Sequence, residues 1–142
     1  MPEPAAVLSA LAERLRAEET PISAHVVEPS AEPDFGLLAA AGPRAASAPA
    51  EYALVVEAVR EGYLLHHGES RLLRGHDADL ALLAGDYLYA LGLDRLATLG
   101  DIRAVAILAD LISTCARLQA EEAGEGMDDL WRKAAEEIAA ST

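Results

Sequence analysis

Apolar residues recur at every third or fourth position along most of the chain, which is the spacing that places them on one face of an α-helix. The pattern occurs in five segments, which are residues 4–18, 50–66, about 77–98, 102–122 and from about 128 onward. Asp77 or Asp79 is placed to cap the third helix and Asp101 to cap the fourth, because an aspartate oxygen can accept hydrogen bonds from free N–H groups of the first turn. We therefore predict an all-α helical bundle.

The third and fourth predicted helices are apolar on more than one side. In the third, Leu83 and Leu91 belong to one stripe and Leu82 and Leu96 to another. A helix that is apolar all round must be covered all round, and a second stripe left in water would forgo several kcal/mol at about 25 cal/mol per Å². We therefore expect these two helices to pack on each other and on another chain. The alternative is that the first and last helices, with the segment near Phe35, cover them within one molecule.

Residues 20–49 interrupt the helical pattern with five prolines and two glycines. Phe35, Leu37 and Leu38 fit a brief helical turn, but most of the segment is typical of a connector that has been shortened or is mobile. We therefore divide the single domain into an N-terminal helix with a Pro-rich connector, 1–49, and a helical part, 50–142.

The composition limits the possible partners and locations. The 142 residues are 52% apolar and only 4% aromatic, so the core must consist of Leu, Ala, Val and Ile, which favours helices. A net charge of −13 argues against binding to nucleic acid or to an anionic membrane surface, since both require basic patches. No apolar run is long enough to span a bilayer, and the first residues lack the pattern of a signal peptide. Cys115 fits a buried thiol, and we expect a cytoplasmic protein.

The densest polar cluster lies between the second and third helices, at His66, His67, His76 and Asp77. Imidazoles and carboxylates at this density can bind a transition metal, and His76-Asp77 resembles part of an HD-type phosphohydrolase site. Such a site also needs a histidine well upstream and an aspartate well downstream on other helices, and neither stands in a suitable context. A solvated helix end and loop is the simpler interpretation. We predict no metal, cofactor or catalytic residue, with a small metal-dependent phosphohydrolase as an alternative.

Residues 57–122, about half of the chain, resemble the middle of a trans-prenyl (polyprenyl) diphosphate synthase. Glu57, Leu64 and His66 stand in the register of the family helix that leads to its first Asp-rich motif, and Arg74-Gly75 follows as in the family loop. The most specific matches come next, and they are Leu82-Leu83-Ala84-Gly85-Asp86-Tyr87-Leu88, Leu99-Gly100-Asp101 and Leu118-Gln119.

The departures from the family affect its catalytic motif. The family uses aspartates to hold magnesium on the allylic diphosphate while the carbocation forms. This chain has His67 and Gly68 at the first two of those positions, and the third falls near Arg71. The resemblance therefore implies a chain that is not a prenyltransferase on its own, with magnesium expected only in a catalytic partner.

The resemblance also implies a function and an interface. In the family, the helix with Gly-Asp-Tyr-Leu and the helix after it form the subunit interface, and some bacterial synthases pair a small subunit without Asp-rich motifs with a catalytic one. We therefore expect a truncated isoprenoid-synthase-like fold that serves as a non-catalytic subunit of a heteromeric trans-polyprenyl diphosphate synthase and influences product chain length. The alternative is a self-associating helical protein, a homodimer unrelated to isoprenoids. The expected interface residues are Leu83, Tyr87, Ala90, Leu91, Val105, Leu108, Ala109 and Ile112.

Overall fold

The computed structural model describes residues 1–140, and six α-helices account for most of them. The helices are α1 Pro4–Ala17, α2 Gly36–Ala40, α3 Pro49–His67, α4 Ala78–Thr98, α5 Ile102–Ala120 and α6 Met127–Ala139. Two short 3-10 turns, Ser23–His25 and Pro43–Ala45, lie between α1 and α3. Residues 1–140 contain no strand, so the predicted all-α fold is confirmed. None of the helices in this range has the length and apolar character needed to cross a membrane.

The helix starts follow the local sequence signals. Asp77 caps α4 and Asp101 caps α5, each by accepting a hydrogen bond from the backbone N–H three residues on, at 2.8 and 3.0 Å. α6 begins at Met127, one residue before the predicted start at Asp128. The preceding Gly126 has a φ of 79°, a left-handed conformation that glycine adopts without steric cost.

α3 is the central helix of the bundle, with twelve of its nineteen residues buried. α1, α2 and α4 pack directly against it. By contrast, six of 21 residues are buried in α4 and four of 19 in α5. The two helices that were expected to need cover all round are therefore less buried than α3, and Leu82, Leu83 and Ile102 on them are exposed within this chain.

Glycines allow α3 and α4 to cross at close range. A Cβ placed on Gly62 would lie 2.8 Å from the carbonyl oxygen of Gly85 and 2.8 Å from the Tyr89 ring. A Cβ on Gly92 would lie 2.5 Å from Val59. Since real Cβ atoms do not approach other atoms this closely, the crossing depends on the absence of these side chains.

Parts of the segment 20–49 pack on the bundle. Phe35 and the alanines of α2 are buried, and α2 contacts both α3 and α6. The loop between α3 and α4, expected to be polar, contributes Leu72 and Leu73, which are fully buried against α1. These apolar residues explain why both segments are held in place: each adds a few side chains to the core.

Candidate interaction surface

The most buried polar groups of the chain are two carboxylates on α3. Glu57 and Glu61 are spaced four residues apart, so both lie on the same side of the helix, and neither is exposed to solvent. Arg71, from the loop after α3, donates from Nη1 to Glu57 at 2.6 Å and from Nε to Glu61 at 2.9 Å. Burial opposes the charge on Arg71, but the two carboxylates outweigh it and raise the pKa of Arg71 above its usual value.

The remaining carboxylate oxygens are also occupied. The second oxygen of Glu57 accepts hydrogen bonds from the N–H groups of Phe35 and Gly36, at 2.7 and 2.6 Å. The second oxygen of Glu61 accepts from the Ser70 hydroxyl and from the Arg71 N–H. A general base or a metal ligand needs an oxygen lone pair directed at its substrate or metal, whereas these oxygens face arginine, hydroxyl and amide donors. Their role is to fix the start of α2 and the loop after α3 onto the central helix.

Arg60 extends this arrangement to α6. Its guanidinium lies over the rings of Phe35, Tyr63 and Trp131, with ring centroids at 5.0 to 5.2 Å, and it donates to Asp34 at 2.9 Å and Asp128 at 3.1 Å. Trp131 is fully buried, as expected for a core anchor. Asp128, in the first turn of α6, accepts a hydrogen bond from this arginine. We refer to Glu57, Arg60, Glu61 and Arg71 together as the buried ion network, and Asp34 contacts it from an exposed position.

A separate polar group forms around Asp101, which is only 7% exposed. Besides capping α5, Asp101 accepts two hydrogen bonds from Arg44 at 2.8 Å and one from the Tyr52 hydroxyl at 2.5 Å. The Arg44 hydrogen bond is the largest cause that lowers the pKa of Asp101 to about 2, and burial followed by the Asp101 contact raises the pKa of Tyr52 to about 12. Asp101 thus ties the segment before α3 to the start of α5.

We expect Asp101→Asn to remove a pH dependence of stability. Because the pKa of Asp101 is lowered from 3.8 to about 2 by folding, its contribution is complete above pH 3.8 and is lost as pH falls toward 2. The shift corresponds to about 2 kcal/mol. Urea unfolding of both proteins should show that difference near pH 5 and almost none near pH 2, and parallel stability curves for the two proteins would contradict it.

Within the four-residue polar cluster that was weighed as a metal site, His66 and Asp77 are held by different partners. His66 is half-buried on α3, with Nε2 3.0 Å from the carbonyl oxygen of Leu82 and 3.4 Å from the Asp86 carboxylate. His67 is exposed for the most part. The burial of the remaining part is the largest cause that lowers its pKa, and the neighbouring His66 acts in the same direction. Asp77 is engaged as the α4 cap, and His76 precedes it in the loop. Over residues 1–140, no three His, Cys, Asp or Glu side chains are grouped as a metal site.

The clearest uncovered apolar surface lies on α4. Leu82 and Leu83 are 54% and 58% exposed, whereas many other leucines of this chain are buried in the core. Exposed positions continue along the same side of the helix, and we define the α4 outer face as Asp79, Leu82, Leu83, Asp86, Ala90, Asp94 and Ala97. Exposed leucines of this kind, when several share one helix face with small residues, are typical of surfaces that bind another protein.

A second exposed to half-buried surface lies on one side of α5, and we call it the exposed side of α5. Its residues are spaced three and four apart, as on one face of a helix, and they are Ile102, Val105, Ala109, Ile112 and Ala116. Ile102 is 66% exposed. On the opposite side of α5, an open groove of about 530 Å³ runs along α6, with Arg103 and Lys133 balanced by Asp110 and Glu137.

Five of the eight predicted interface residues belong to the α4 outer face or to the exposed side of α5; Tyr87, Leu91 and Leu108 do not. Leu83, Ala90 and Ala109 are exposed, while Tyr87, Val105 and Ile112 are half-buried; Leu91 and Leu108 instead lie in the core of this chain. Those two side chains are therefore not available to a partner. The apolar spacing placed Leu91 and Leu108 on the same stripes as exposed residues. Neighbouring positions of one stripe point in slightly different directions around the helix, so one can be covered while the next is exposed.

Within residues 82–88, Gly85 and Leu88 face the interior of the chain and Asp86 faces solvent. The glycine therefore serves the crossing of α3 and α4 in this structure. Comparison with family models, with curated proteins and with solved structures gives no match for the chain.

Proposed function

We propose that this chain is a non-catalytic helical subunit that binds a catalytic trans-polyprenyl diphosphate synthase subunit through the α4 outer face and the exposed side of α5. The observation that carries the proposal is the exposure of Leu82 and Leu83 on a helix whose other side is fully packed. Covering each leucine would gain roughly 1 kcal/mol or more, which favours association.

The hydrogen-bond partners of the buried carboxylates support a role without catalysis. Magnesium-assisted activation of a diphosphate needs several carboxylate oxygens directed at the metal ions. Glu57, Glu61 and Asp101 instead direct their oxygens at arginine, tyrosine or backbone donors. The positions that match the first Asp-rich motif hold His67 and Gly68, so we place magnesium in the partner.

The choice of partner comes from the sequence resemblance. The helix with Gly85-Asp86-Tyr87-Leu88 and the helix after it correspond to the interface helices of the synthase family, and they are the helices that leave an apolar side uncovered here. Binding there would stabilise the active assembly and shape the far end of the product pocket, which is how the subunit would influence product chain length.

The proposal predicts that Leu83→Glu abolishes co-purification with a catalytic synthase subunit. A carboxylate at this position would have to be desolvated at the centre of the contact, which costs several kcal/mol. The measurement is affinity co-purification from a co-expressing strain, together with the chain-length distribution of the products.

Leu38→Glu is the matched control, because Leu38 is also exposed, at 39%, but lies on α2 away from the surface. It should co-purify like the unmodified chain. If no synthase co-purifies with the unmodified chain, or if both variants behave alike, the proposal fails. A stable homodimer that ignores the synthase would instead support the self-associating alternative.

A further inference from the structure

The charges on the α4 outer face have a single sign. Asp79, Asp86 and Asp94 are exposed, and α4 has one cationic residue, Arg95. Arg95 is turned inward and forms an ion pair with Glu51 on α3. Within residues 1–140, the exposed charges of this face are therefore acidic.

The cations of the neighbouring helix do not compensate them. Arg103 of α5 lines the groove along α6, on the other side of that helix, and Arg117 pairs with Glu121 at 3.6 Å. His66 is a titratable base next to this face, with its Nε2 3.4 Å from Asp86 and also 3.0 Å from a backbone carbonyl.

The acidic residues alternate with apolar ones at regular intervals. Asp79, Asp86 and Asp94 are seven and eight residues apart, which is about two helical turns, or roughly 10 to 12 Å. The positions between them are the exposed leucines and alanines of the face. Small residues such as Ala90 and Ala97 let the backbone of a second helix approach closely, while the leucines offer area to cover.

A second copy of this chain fits such a face poorly. If two α4 helices paired antiparallel about Ala90, Asp86 of each would meet Asp94 of the other, and a parallel pair would place each aspartate against its equivalent. Like charges at such positions are unfavourable, and each copy also has a net charge of −13. The charge pattern therefore favours a different chain over self-association.

Resting on the proposed function, we infer that the α4 outer face binds an amphipathic helix of a different protein. The contacting side of that helix carries Leu or Ala, and Lys or Arg residues flank these apolar residues at intervals of about two helical turns. The apolar residues supply the area, and the cations meet Asp79, Asp86 and Asp94. Such charges increase the rate of association and determine the orientation of the bound helix.

Synthetic peptides test this inference without the synthase. The first peptide is as long as α4 and presents leucine and alanine on one side, with lysines two turns apart. The second peptide has glutamates in place of the lysines. The third peptide is a shuffled version of the first. Fluorescence anisotropy with the full chain should show binding of the first peptide alone, weakened by added salt. Asp86→Lys/Asp94→Lys should reduce that affinity about tenfold, because two attractions become two repulsions.

Glu136→Lys is the control for a charge reversal outside the face, at half the change in net charge of the double variant, since Glu136 is exposed on α6, remote from the face. It should change the affinity by less than about twofold. Equal binding of the shuffled peptide, or an equal loss with Glu136→Lys, would show only general attraction to an acidic chain and would overturn the inference. Circular dichroism establishes that each variant is folded. If the peptides behave as expected but no synthase co-purifies, the inference stands and only the proposed partner is wrong.

Discussion

Arg71→Met should destabilise the fold by about 3 to 5 kcal/mol, enough to unfold much of a protein of ordinary stability. The substitution leaves Glu57 and Glu61 fully buried on the central helix without the guanidinium that bonds to both. An uncompensated buried charge costs far more than a surface charge, because no water replaces the lost partner. Urea or thermal unfolding, followed by circular dichroism, measures the effect.

Arg117→Met is the matched control for this prediction. Arg117 is exposed on α5 and pairs with Glu121 at 3.6 Å, so its loss should cost less than about 0.5 kcal/mol. Adding Glu57→Gln and Glu61→Gln to Arg71→Met should restore a large part of the stability, since both charges are then gone. Equal effects of the two single substitutions would show that the buried ion network contributes no more than a surface pair.

Gly62→Val should also destabilise the protein strongly, by about 3 kcal/mol or more. A Cβ at this position would lie 2.8 Å from the backbone oxygen of Gly85 and 2.8 Å from the Tyr89 ring, so α3 and α4 must separate. In an exposed helix, replacing glycine by a residue with a side chain generally improves helix propensity. At Gly62 the close crossing of α3 and α4 makes the added side chain destabilising instead. Equilibrium unfolding in urea measures the change in the free energy of unfolding.

Gly124→Val tests whether the effect depends on the crossing. The three atoms nearest to a Cβ on Gly124 belong to the end of the Gln119 side chain, at 3.0 to 3.2 Å, and this side chain is flexible. We expect little change in the free energy of unfolding for this variant. A Gly62→Val protein as stable as the Gly124→Val protein would mean that α3 and α4 do not pack as closely as the structure shows.

Helix positions and caps could be predicted from the sequence because their signals are local. Asp77 and Asp101 each bond to a backbone N–H three residues away, and the apolar spacing of α5 spans a few turns. Trp131 is buried for a similarly local reason, because it belongs to the apolar side of a strongly amphipathic helix.

The central place of α3 could not be predicted, because it depends on contacts between distant segments. Glu57, Arg60 and Glu61 look like the solvent side of an amphipathic helix. In the structure that side is covered by Phe35 and Arg71, which lie 22 and 14 residues from Glu57 along the chain. Nothing in the local pattern of α3 indicates that those segments return to satisfy its charges.

The candidate surface was predicted in part. The apolar excess of α4 and α5 was visible in the sequence, and Leu83, Ala90 and Ala109 are exposed on them. Leu91 and Leu108 are covered by the chain's own core, because packing on α3 and its neighbours selects one side of each helix. Only the three-dimensional arrangement separates the stripe that faces inward from the stripe that faces out.

Hydrogen–deuterium exchange of the chain, alone and with a catalytic polyprenyl diphosphate synthase subunit, tests most directly whether the α4 outer face and the exposed side of α5 bind a partner. We predict slower exchange in Ala78–Thr98 and Ile102–Ala120 when the subunit is added, with α1 unchanged as the internal reference. Exchange that is unaltered throughout, or slowed only at α1 or α6, would contradict this placement of the interface.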